Sequence, residues 1–62
     1  MEIKPIQNVR ELPGYALNAY VEKGKREDAI AAAVGKFTAK LKTEPKECYI
    51  CAFRESWIVY LS

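Results

Sequence analysis

The chain holds two cysteines, spaced C-x-x-C at Cys48-Tyr49-Ile50-Cys51. That spacing serves dithiol redox chemistry and zinc coordination. Redox work of the thioredoxin type needs the pair where a strand ends and a helix begins, because the helix N-terminus lowers the first thiol's pKa. Here the following residues, AFRESWIVY, read as strand and turn. In an extended strand, residues three apart leave on opposite faces, so Cys48 and Cys51 diverge. A disulfide between them would require the chain to turn. Zinc asks for four ligands, and the chain offers two cysteines and no histidine. A second chain or Glu47 would complete such a set, but the spacing does not call for either. The cysteines are therefore read as small apolar strand residues, with a metal or redox role kept as a third reading.

Other chemistry has little to stand on. The commonest general acid/base at neutral pH is missing, since there is no histidine. Gly14, Gly24 and Gly35 are scattered and form no phosphate loop. Ser56 and Ser62 have no base partner visible in the sequence. A protein that is not an enzyme is expected, with no catalytic residue, cofactor or metal assigned. The basic residues suggest an alternative role. Lys36 and Lys40 lie one turn apart on a helix edge, and Lys25 and Arg26 precede that helix. These four would line a phosphate-binding edge for nucleic acid. Tyr15, Tyr20, Tyr49 and Tyr60 would stack on bases if they faced solvent beside it. Interspersed carboxylates, Glu22, Glu27, Asp28, Glu44 and Glu47, dilute the field, and the net charge is only +2.

The elements that must carry these residues form one small domain. Sixty-two residues, half of them apolar, bury a limited core. The clearest element is a helix from Arg26 to Lys42. Ile30, Val34, Phe37 and Leu41 make its apolar stripe, Glu27 and Asp28 suit its first turn, and Lys40 and Lys42 its last. Gly24 breaks the chain before it and Pro45 after it. Cys48–Phe53 and Trp57–Leu61 read as a hairpin around Arg54-Glu55-Ser56. Residues 15–22, YALNAYVE, read better as a strand than as a helix. In that strand Tyr15, Leu17, Ala19 and Val21 form the apolar face. Asn8 and Glu11 fit a capping box, but Pro13-Gly14 would interrupt a helix there. EIKPIQNV reads as an edge strand, since Pro5 cannot donate to a ladder. The fold class is α+β: a small antiparallel sheet with one amphipathic helix packed on it, in the order β-β-α-β-β. LPGY followed by GKREDAIAAAV resembles the strand-turn-helix of small HicB-type antitoxin domains over about a third of the chain; no function is carried over from it.

Two surfaces are left without cover in this scheme. Both hairpin strands are apolar on both faces, and one helix covers only one face. The helix back carries Ala32, Gly35 and Ala39, where a solvated face normally carries long charged residues. Both features predict a homo-oligomer, most simply a dimer, that works as a protein-binding module or regulator of an unidentified partner. Its interface residues are expected to be Ala32, Gly35, Ala39, Tyr49, Trp57 and Tyr60, with the aromatics as anchors. No apolar run approaches a membrane span, and the start of the chain lacks a signal-peptide core, so a cytoplasmic protein is expected.

Overall fold

A computed structural model describes residues 1–62. The elements follow the order β1 (Glu2–Pro5), β2 (Asn18–Lys23), α1 (Arg26–Leu41), β3 (Glu47–Phe53) and β4 (Ser56–Leu61), with a single 3-10 turn at Val9–Glu11. This is an α+β fold, in which one helix covers a four-stranded sheet of order β1-β3-β4-β2. The expectation of a purely antiparallel sheet needs correction. β2 and β3 each run antiparallel to β4, but β1 lies parallel to β3, with Ile3 opposite Cys48 and Pro5 opposite Ile50. Pro5 does stand on an edge strand, where its missing N–H disrupts no central ladder.

The helix starts after Gly24, whose φ of 96° lies in the left-handed region that glycine tolerates. It ends at Lys42, also left-handed, whose N–H donates to Thr38 O at 2.8 Å. Its buried face differs from the expected stripe. Ala29, Ala33 and Phe37 are buried, Ile30 and Val34 flank them, and Leu41 is 41% exposed. These buried residues recur every fourth position and stay in line with the sheet. Ala33 and Phe37 pack with Cys48, Ile50, Val59 and Leu61 into the core. The two alanines are small enough to bring the helix backbone close to the strands.

The segment from 6 to 17 links the two edges of the sheet. Within it the Asn8/Glu11 capping box does form, around one turn that ends before Pro13. Asn8 Oδ1 accepts from Arg10 N at 2.9 Å, and Glu11 Oε2 accepts from Asn8 N at 3.0 Å. The strand expected over 15–22 begins at Asn18 and has the opposite facing. Register places Tyr20 beside Val59 and Asn18 beside Leu61, so Asn18, Tyr20 and Glu22 turn toward the helix. Ala19 and Val21 turn away from it and are exposed.

Candidate interaction surface

Alternation along the strands sorts the sheet into two faces. Cys48, Ile50, Val59 and Leu61 are on the helix side and fully buried. The opposite side carries no helix and presents three cross-strand rows, exposed at the Val21–Phe53 end and buried at Tyr49. Ala19, Tyr60, Tyr49 and Lys4 form the first; Val21, Ile58 and Cys51 the second; Lys23, Ser56 and Phe53 the third. Val21 is 60% exposed and Phe53 47% exposed, while Ile58, Tyr60 and Cys51 are half-buried. A contiguous apolar area of this kind, rimmed by polar residues, is what interaction sites look like. One corner holds a shallow, open depression lined by Val21, Lys23, Phe53, Arg54, Glu55 and Ser56. Arg54 sits at φ 56° in the two-residue turn and places its guanidinium 5.3 Å from the Phe53 ring centroid.

The expected interface residues divide. Tyr60 stands on the bare face beside Tyr49. Tyr49 is itself buried, with Lys4 Nζ 5.5 Å from its ring centroid and its hydroxyl 3.5 Å from Glu47 Oε2. Burial, together with the Glu47 and Glu2 carboxylates, pushes its phenol pKa up. Trp57 does not join them. It pairs with Ala52 and Glu22 on the helix side, packs against the core, and donates Nε1–H to Gly24 O at 3.0 Å. It fastens the β2–α1 connection and is not an anchor of the bare face. Ala32, Gly35 and Ala39 lie exposed on the helix back, and a Cβ added at Gly35 would meet nothing within 4 Å. Val21, Ile58 and Phe53 were missed as surface residues. Ile58 and Phe53 follow from hairpin alternation alone, whereas Val21 depends on the register of β2.

The cysteines leave on opposite faces, as their spacing implies. Cys48 is 1% exposed in the core, and Cys51 sits on the bare face. No three side chains among His, Cys, Asp and Glu come together in a metal-binding group. Burial raises the Cys48 thiol above its ordinary 9.0. With the folded pKa raised, both states stay protonated below the unfolded value, and stability is constant there. As pH climbs past 9.0 toward the folded pKa, the unfolded thiol ionises first and stability falls. Urea melts at stepped pH should therefore show a flat midpoint from neutrality to about pH 8.5 and a decline above it. Cys48→Ala should flatten part of that decline while lowering stability at every pH.

The cations expected to contact nucleic acid fall into two groups, at the start and toward the end of the helix. Lys36 Nζ is engaged by Glu22 Oε2 at 2.7 Å, with the Glu22 side chain only 12% exposed. Lys25 and Arg26 stand at the start of the helix and Lys40 in its last turn. The ends of a 16-residue helix are about 24 Å apart. Beneath the helix, the Tyr20 hydroxyl is buried without a hydrogen-bond partner. An unsatisfied buried hydroxyl costs about 1–3 kcal/mol. Tyr20→Phe should therefore leave thermal stability unchanged or raise it by about 1 kcal/mol, read from the denaturation midpoint. A clear loss would mean that the hydroxyl is bonded in solution.

The fold is a two-layer α+β domain whose sheet exposes Val21 and Phe53 on the side away from the helix. Comparison of the chain with protein-family models, with curated proteins and with solved structures finds no match. No helix is long and apolar enough to cross a membrane.

Proposed function

We propose that the protein is a non-enzymatic protein-binding module that works as a homo-oligomer and receives its partner on the bare face of the sheet. One observation carries this reading: Val21 and Phe53 are exposed on the helix-free face of the sheet, beside the half-buried Ile58, Tyr60 and Cys51. Burying such side chains is the dominant favourable term in association, at about 25 cal/mol per Å² of apolar surface. The face carries Glu2, Lys4, Glu47 and Lys23, two charges of each sign, so it repels neither an acidic nor a basic partner outright. A nucleic-acid role finds less support, because Lys36 is already neutralised by Glu22 and the other cations sit at opposite ends of the helix.

Affinity capture with matched variants tests the reading. A protein held by the wild type and by Lys40→Glu, but lost by Phe53→Asp, is the expected result. Phe53 is exposed, so its replacement should leave the fold intact. Retention on DNA that falls steeply with salt and is abolished by Lys40→Glu would overturn the reading in favour of nucleic acid.

A further inference from the structure

The two edges of the sheet differ in how they meet solvent. β1 is four residues long, contains Pro5, and carries Glu2 and Lys4. Short length, proline and charge are the usual defences of an edge strand. β2 also carries two charges, Glu22 and Lys23, but it is six residues long and has no proline. Its hydrogen-bonding direction can be read from the far end of β4. Ser62 N donates to Glu47 O, and Glu47 N donates to Ser62 O, so the backbone of Ser62 faces β3. Alternate residues of β4 then face the other way, and Leu61, Val59 and Trp57 present their backbone groups to β2. Their partners Asn18, Tyr20 and Glu22 face back toward β4. This leaves the N–H and C=O groups of Ala19, Val21 and Lys23 pointing outward along a free edge.

We propose that this edge pairs antiparallel with the β2 edge of a second copy, joining two four-stranded sheets into one of eight strands. The inference rests on the homo-oligomer reading above and names the surface responsible. A two-fold axis through Val21 sets Val21 opposite its own copy and Ala19 opposite Lys23, so all three outward-facing residues form hydrogen-bonded pairs. Tyr20 falls opposite Glu22, and no like charges meet directly across the pair, an arrangement that like-charge opposition would otherwise disfavour. A second copy fits better than an arbitrary strand because the edge is complementary to itself. The bare faces of the two copies then lie side by side on the same surface of the joined sheet. The partner-binding area doubles without being covered.

Sedimentation of the wild type and Val21→Pro tests the pairing. The Val21 N–H points outward, so proline there removes no bond of the monomer's own ladder, which is where proline is tolerated in a sheet. The wild type should sediment at twice 7.1 kDa at micromolar concentration, and Val21→Pro at 7.1 kDa with an unchanged circular dichroism spectrum. Amide exchange on the wild type gives a second readout that needs no variant. The Ala19, Val21 and Lys23 amides should be protected at high protein concentration and exchange freely on dilution. A wild-type dimer that survives Val21→Pro, or that leaves those amides unprotected, overturns the edge pairing but keeps the oligomer. Dissociation of that dimer by Gly35→Leu would place its contact on the helix back. A wild-type monomer overturns both the pairing and the oligomer.

Discussion

Phe37→Ala is expected to lower the stability of the fold by about 3–5 kcal/mol. Phe37 is 2% exposed and is the one aromatic ring within the buried cluster of Ala33, Cys48, Ile50, Val59 and Leu61. Truncating a buried phenylalanine costs about 3–5 kcal/mol, from lost transfer energy and the cavity left behind. At roughly 0.05–0.15 kcal/mol per residue, a domain of 62 residues holds only about 3–9 kcal/mol in all. The truncation therefore removes from about a third to all of the total. Circular dichroism in a urea series reads the result directly. Phe37→Leu, which keeps much of the volume, should retain a cooperative transition at lower midpoint. A Phe37→Ala protein within 1 kcal/mol of the wild type would mean that the helix does not dock through this ring.

Ala33→Leu is the second large effect, and its neighbour supplies the control. Ala33 has no exposed surface and lies between the helix backbone and the sheet. Extra methylenes in such a place force the layers apart and cost about 1–3 kcal/mol, occasionally more. Ala32 is exposed one residue earlier, and leucine is nearly as good a helix former as alanine. Ala32→Leu should therefore change stability by less than about 0.5 kcal/mol. The contrast separates a helix docked through Ala29, Ala33 and Phe37 from one docked through Ile30, Val34 and Leu41. In the second case Leu41→Ala, not Ala33→Leu, would be the damaging change.

The helix and the hairpin were legible in the sequence because local rules govern both. Gly24, the acidic first turn and the basic last turn bounded the helix, and a short polar loop between apolar runs marked the hairpin. Alternation alone also put Cys48 and Cys51 on opposite faces. What was not legible depends on distant partners. Nothing in EIKP states that it pairs with β3, or that it runs parallel to it. The face of β2 was inverted because Ala19 and Val21 look more apolar than Asn18, Tyr20 and Glu22. It is Tyr20 that packs toward the core, while Lys36 satisfies the carboxylate of Glu22. The helix stripe was misplaced for a related reason. Hydrophobicity favours the larger Ile30 and Val34 at the centre, but close approach to a sheet favours alanine there. Aromatic character suggests an interface role for Trp57, although alternation groups it with Val59 and Leu61.

The parallel seam between β1 and β3 also sets how the molecule comes apart. The β3–β4 hairpin closes over two residues, whereas β1 must find β3 about three quarters of the chain away. Closing so large a loop costs more entropy than closing a hairpin, so β1 docks after the hairpin, and its ladder of four pairs, against six for β2–β4, makes it the first strand released. Its release exposes the inner edge of β3, where the backbone groups of Cys48 and Ile50 lose their partners in the middle of an apolar strand. That fleeting edge lacks the proline that shields β1 and carries a charge only at Glu47, its first residue. It gives aggregation a starting point that the native surface does not display, and loosening the first strand should speed clumping well before it lowers the melting temperature.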